Sequence, residues 1–231
     1  MKTLRFVIVF TLYSYLASAG ASPSTEIDIG YDSRYVTEGR NNLPNGGIIW
    51  STITKEISEQ FILSGAYGLA SHKRANYDEL NLAVIYQGNM SAMEYSLSVT
   101  HLAFLKDAQF DNELALSVQW VEMPLLIPNV DVIYSTQAKG YFVEFGLSAP
   151  INFHSSVSVT PYLKLALDYG YAANHAGYNH VTFGVNLELL ISYALRVKLI
   201  AEHTAGGNII ALQGNTSRQQ SWAGMHFIAQ F

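Results

Sequence analysis

The sequence predicts an all-β fold, a transmembrane antiparallel β-barrel of about 12 strands, with 10 or 14 also compatible with the pattern. Three observations carry this. Period-2 alternation runs over segments too long for soluble strands, charge is too sparse for an ordinary soluble surface, and the N-terminus has secretory character.

Charged residues make up 13% of the 231, about half of the ~25% usual in soluble domains. Tyr (15) and Phe (11) are abundant and Cys is absent. The lack of Cys excludes a disulfide-stapled scaffold, a thiolate nucleophile, a Cys metal site and a lipid anchor on Cys. Lys2 and Arg5 form a positive n-region, and Phe6 to Leu16 form a short apolar h-region. Ala17-Ser18-Ala19 and Ala19-Gly20-Ala21 both fit a small-x-small cleavage site. The expected organisation is a signal peptide over 1–19, or to Ala21, and one mature domain over 20–231. Without Lys2 and Arg5, 11 bases face 18 acids, a net charge of −7. That argues against nucleic acid as a partner.

Beyond the leader no run of about 18 apolar residues could form a membrane helix. The other way to cross a bilayer is a closed barrel, in which every backbone N–H and C=O is paired between strands. Strands are expected at about 25–37, 47–57, 61–71, 76–88, 93–105, 110–123, 129–138, 141–152, 156–170, 180–191, 194–204 and 217–231. The ninth shows the pattern best. Val157, Val159, Pro161, Leu163, Leu165, Leu167 and Tyr169 alternate with Ser158, Thr160, Tyr162, Lys164, Ala166 and Asp168. Leu80 to Tyr86, Met93 to Val99, Leu114 to Trp120, Tyr141 to Leu147, Val181 to Leu187 and Leu195 to Leu199 repeat it. The second segment, with Ile48, Ile49, Trp50 and Ile53, is poorly phased.

Tight connections such as 57–60, 88–91 and 192–193 alternate with longer polar ones such as 37–46, 170–179 and 205–216. Short periplasmic turns opposite longer outer loops are the outer-membrane arrangement. Tyr35, Phe61, Tyr86, Tyr95, Trp120, Tyr141, Tyr169 and Phe231 fall at strand ends in the apolar phase, where interfacial girdles form.

The last strand, Ser221 to Phe231, turns Ala223, Met225, Phe227, Ala229 and Phe231 outward and ends on an aromatic. It resembles the C-terminal signature of outer-membrane barrels. The resemblance implies that Phe227, Ala229 and Phe231 are read by the barrel-assembly machinery, with outer-membrane lipid as the other partner. Gly30-Tyr31-Asp32-Ser33-Arg34-Tyr35-Val36-Thr37-Glu38-Gly39-Arg40 resembles the first strand and loop of a TorF-like family of small proteobacterial porins. That resemblance implies a membrane pore. Family members tend to carry Arg before the loop glycine; Glu38 stands there, with Arg34 and Arg40 nearby, so no role is carried over.

The inward phase is acidic. Glu26, Asp28, Asp32, Glu79, Glu94, Asp111, Glu113, Asp131, Glu144, Asp168, Glu188 and Glu202 stand against Arg34, Lys164, Arg196 and Lys198. The expected pore lining is Glu79, Glu94, Glu113, Asp131, Glu144, Lys164, Asp168, Glu188, Arg196 and Lys198. The expected activity is passage of small polar solutes or ions with a mild cation preference, the alternative being a non-conducting structural or surface-binding barrel.

Enzymatic chemistry, cofactors and metals are not expected. Outer-membrane lipid hydrolases resemble one another in placing a Ser and a His on the lipid face, and His203 and Ser221 both fall in the outward phase. However, the sequence shows no third group, because Glu202 faces inward, and no His-x-Ser-Asn motif. His175 and His180 lie five apart in an expected loop without a carboxylate triad. Gly206-Gly207 reads as a hinge, with no helix expected after it.

Deleting Phe231 is expected to slow barrel insertion and leave precursor-sized or degraded chains. Pulse-chase fractionation checks this, and normal surface assembly of the truncated chain would show the terminal strand to be misread.

Overall fold

The computed structural model describes residues 24–43, 45–73, 75–123, 125–212 and 217–231, and the proposed signal peptide lies outside them. Twelve strands form the barrel. They are β1 (Thr25–Asp32), β2 (Ile48–Glu56), β3 (Phe61–Ala70), β4 (Asp78–Met90), β5 (Met93–Phe104) and β6 (Gln109–Trp120). Next come β7 (Ile127–Ser135), β8 (Gly140–Ser148, resumed as Ile151–His154), β9 (Val157–Tyr169), β10 (Ala176–Ser192), β11 (Leu195–Gly206) and β12 (Gln219–Gln230). Pro150, which has no N–H to donate, lies in the break within β8.

All barrel neighbours are antiparallel, and each is also a neighbour in sequence except the closing pair β1–β12. That pair runs in register from Glu26–Gln230 to Asp32–Gly224. The two ends of the chain lock together: Thr25 N–H donates to Phe231 C=O at 3.0 Å, and Phe231 N–H donates to Thr25 C=O at 2.9 Å. Both ends of the barrel chain therefore lie at one rim. The turns at that rim are mostly short and those opposite mostly longer, which identifies it as the periplasmic rim.

The side-chain period determines what each surface shows. Leu82, Val84, Leu97, Val99, Leu114, Leu116, Leu163, Leu165, Phe183 and Phe227 are 39–55% exposed, and they form a continuous apolar outer wall. Polar partners of the same strands, such as Asn81, Ser96, Thr100, Gln119 and Thr182, are buried inside. A closed barrel with an apolar belt is an integral outer-membrane protein. Girdle aromatics meet across strands: Phe61–Tyr86 at 5.3 Å and Tyr86–Tyr95 at 6.3 Å near the periplasmic rim, Tyr134–Tyr141 at 4.8 Å near the other.

Three sequence expectations are corrected. Tyr35 is not a girdle residue. It is 4% exposed and sits inside the barrel among Leu43, Ile48, Trp50, Ala66, Tyr77, Leu102 and Phe104. β1 stops at Asp32, and the following segment folds inward. Val36–Thr37 pairs with Arg40–Asn41 across a turn in which Glu38 (φ 43°) and Gly39 (φ 74°) are both left-handed. A Cβ on Gly39 would come within 2.8 Å of the His180 Cβ and 2.9 Å of the Asn179 Oδ1, so only glycine lets the hairpin seat against β10. This inner cluster explains the poor phasing of β2: Ile48 and Trp50 face an apolar interior while Ile49 and Ile53 face lipid.

His180 is not in a loop but on β10, buried against Phe142, with ring centroids 6.2 Å apart. A helix does follow Gly206-Gly207: α1 (Asn208–Leu212), which buries Ile209 and Ile210.

Leu116 (41% exposed) and Leu165 (42%) sit mid-strand on the lipid side. Leu116→Arg and Leu165→Arg are each expected to cost ~2–4 kcal/mol in vesicle unfolding titrations. Ser117→Arg points inward beside Asp131 and is expected to cost less. Equal costs would show the register to be reversed.

Candidate functional site: the lumen

A cavity of about 470 Å³ occupies one side of the barrel. Its roof is the infolded segment Arg34 to Gly39. Its walls descend along β6 to β12 to Ile127, Ser148, Pro150 and Ser158 near the periplasmic rim. The apolar cluster around Tyr35 and Trp50 fills the space beside β2 to β5. A second buried cluster, Ile133, Phe142, Ala166, Tyr171 and Ala172, lies under the 170–175 loop on β7 to β9.

The ten inward charges expected to line a pore divide into two groups of five. Asp131, Glu144, Lys164, Glu188 and Lys198 border the cavity. Lys164 Nζ lies 3.0 Å from Glu144 Oε1 and 5.8 Å from the Tyr162 ring centroid, while His180 Nε2 is 3.9 Å from Glu144. Asp131 accepts from Asn129 at 2.7 Å and also from Ser117.

The other five are engaged elsewhere. Glu79, fully buried, accepts from Tyr35 at 2.8 Å, from Asn81 at 2.7 Å and from Tyr77. Glu113 accepts from Tyr171. Asp168, fully buried, accepts from the backbone N–H groups of Tyr171 (2.7 Å), Ala172 (3.0 Å) and Ala173 (3.0 Å), and so holds the 170–175 loop. Arg196 Nη2 is 2.6 Å from Glu26 at the periplasmic end, and Glu94 accepts from Gln119 at 2.6 Å. Burial first, and the adjacent Glu79 carboxylate second, raise the Tyr35 and Tyr77 phenols above their ordinary range. Burial and then Glu113 do the same for Tyr171. All three therefore remain protonated donors to the buried acids.

Sequence reasoning missed the aromatic and cross-seam members of the site. Tyr162 donates to Glu202 at 2.8 Å and Trp222 Nε1 donates to the other Glu202 oxygen at 2.9 Å, tying β9, β11 and β12 together at the cavity wall. His226 lies between Asp28 (3.0 Å) and Asp32 (3.3 Å) across the closing pair. Arg34 Nη1 donates to Gln220 at 2.7 Å. The inward phase of β12 already pointed Trp222 and His226 to the lumen. The partners of His226 lie almost two hundred residues away and meet it only on closure, whereas Glu202, the partner of Trp222, lies 20 residues away on the adjacent strand β11. On the outer wall, the structure brings His203 and Ser221 together and adds Gln219 beside them.

No protein-family model and no curated protein matches this sequence. Solved structures do match. The KdgM porin aligns with a TM-score of 0.62 and 13% identity, over 89% of this chain and 99% of that one. KdgM porin in complex with disordered oligogalacturonate aligns at 0.61 and 12%, with the same coverage. The NanC porin aligns at 0.57 and 7%, over 89% and 98%. The barrel has the small-porin fold. At these identities the likeness is one of architecture, and what the porin-like barrel does rests on its own lumen.

Asp168→Ala would leave three loop N–H groups without their acceptor, at a cost of about 1–3 kcal/mol. Faster amide exchange or proteolysis over residues 170–175, with the barrel intact, is the expected outcome. An unchanged loop would remove the capping role.

Proposed function

We propose that the protein is a narrow outer-membrane channel for small polar solutes with a weak preference for cations. The observation that carries this reading is the cavity under the hairpin. Its border carries the acids Asp32, Glu38, Asp131, Glu144, Glu188 and Glu202 against Arg34, Lys164 and Lys198. This excess is smaller than the three to one of the whole inward face, because several acids are buried under loops, and it is reduced further where Lys164 pairs with Glu144 at 3.0 Å and Arg40 with Glu38 at 2.9 Å. Fixed charge in a low-dielectric bore raises the local counter-ion concentration, and screening over ~8 Å at physiological salt weakens this without removing it. The acidic lining disfavours a polyanion such as the oligogalacturonate of the KdgM complex. The partners proposed with this reading are outer-membrane lipid, the barrel-assembly machinery acting on Phe227, Ala229 and Phe231, and small solutes or ions, with no cofactor.

One observation favours the other reading. The hairpin and the Tyr35–Trp50 cluster fill the lumen beside β2 to β5, as a structural barrel would require. Planar-bilayer recording across a salt gradient separates the two. A channel gives unitary events and a cation-selective reversal potential. Asp131→Asn with Glu188→Gln is expected to lower that selectivity, and Lys164→Gln to raise it. Silence from heat-modifiable, folded protein would establish the non-conducting barrel. Anion preference would place control with Lys164 and Lys198.

A further inference from the structure

The lipid side of the β11–β12 pair carries a polar chain just inside the outer rim. His203 stands directly opposite Ser221, and Gln219 lies two positions toward the outer rim. His203 Nδ1 is 2.7 Å from Ser221 Oγ, and His203 Nε2 is 2.8 Å from Gln219 Oε1. All three side chains are exposed. An amide oxygen can only accept, so it holds the imidazole proton on Nε2 and turns the Nδ1 lone pair to the serine hydroxyl. This is the relation of nucleophile, base and orienting group found in serine hydrolases.

Two further features point to a substrate. The first is a backbone donor. The ladder between β1 and β12 ends at Asp32–Gly224, with one more bond from Ser33 N–H to Ala223 C=O at 2.9 Å. Residue 223 thus turns its backbone groups toward β1. Ser221, in the same phase, turns its N–H the same way beyond the end of that ladder, next to its own Oγ. The second is a trough. Below Ser221–His203 the outward pair is Ala201–Ala223, two small side chains directly opposite each other. Phe183 (55% exposed) and Val185 border it on β10, and Tyr31 (44%) on β1. The site therefore lies a few residues inside the outer rim, with an apolar slot beneath it.

We propose that Ser221, His203 and Gln219 form a hydrolase site for the acyl esters of membrane lipids in the outer leaflet. Ser221 Oγ attacks the ester carbonyl carbon while His203 Nδ1 takes its proton. The oxyanion forms against the Ser221 N–H. Collapse breaks the bond to the lipid alcohol, which leaves with the proton from His203. Water, deprotonated by the same imidazole, then cleaves the acyl-serine and releases the fatty acid, so ester and water become acid and alcohol. Ser221 and His203 are the catalytic residues, and Gln219 is a positioning residue.

The test uses the whole folded barrel in vesicles, with fatty-acid release read by mass spectrometry. One arm contains diacyl phospholipid and the other lipid A. Release in one arm only identifies the lipid source. Ser221→Ala and His203→Ala are expected to lower the rate at least ~100-fold while heat-modifiable migration and conductance stay unchanged. A fluorophosphonate probe is expected to label the native chain at Ser221. Gln219→Ala is expected to lower kcat with KM unchanged, and Gln219→Glu to restore it. Absence of both release and labelling in folded protein, or full activity in Ser221→Ala, would overturn the proposal and leave the channel reading standing.

Discussion

The structure depends on one constraint: within hydrocarbon, every backbone N–H and C=O must be paired inside the protein. A sheet meets it only by having no edges, and this chain removes its last two by pairing β1 with β12. Closure follows from a meander in which each strand is laid beside its predecessor. The one long-range step is the meeting of the chain ends, locked by reciprocal bonds between Thr25 and Phe231. Once closed, period 2 assigns every second residue to lipid and every other to the interior, and each later property of the molecule is read from that division.

Closing twelve strands creates a second problem. Eight-stranded barrels fill themselves with side chains and sixteen-stranded ones hold water, so twelve lie between. Here the first long loop supplies the filling. Its hairpin enters the lumen, and Tyr35 and Leu43 pack on Ile48, Trp50, Tyr77 and Phe104. A second buried cluster, Ile133, Phe142, Ala166, Tyr171 and Ala172, sits under the 170–175 loop on β7 to β9, and the cavity along β6 to β12 is what remains. Carboxylates away from the cavity are kept by dedicated donors: Tyr35, Tyr77 and Asn81 for Glu79, and Tyr171 for Glu113. A count of inward charges is therefore not the charge of a pore, because Glu79, Glu113 and Asp168 do not border the cavity.

The fold was legible because the same rule that makes membrane strands alternate makes them recognisable. The strand number and the facing of β9, of β12 and of the lipid wall at Leu116 and Leu165 could all be read from local pattern. The errors fell where a local signal had more than one physical source. Tyr35 at a strand end reads as an interfacial aromatic, yet the chain turns inward two residues earlier. Ile48 and Trp50 read as a phase error because an apolar interior was not anticipated. The alternation places His203 and Ser221 on one face, but only the strand register brings Gln219, two residues from Ser221, to His203.

What the sequence determined by itself was therefore the barrel, its facing and its acidic interior, since each follows from neighbours along one strand. Tertiary structure decided which acids meet open space, that Tyr162 and Trp222 share Glu202, that His226 spans Asp28 and Asp32, and how the first loop divides the lumen. These depend on residues 20 to almost 200 positions apart, whose approach is set by barrel closure and register rather than by any local preference.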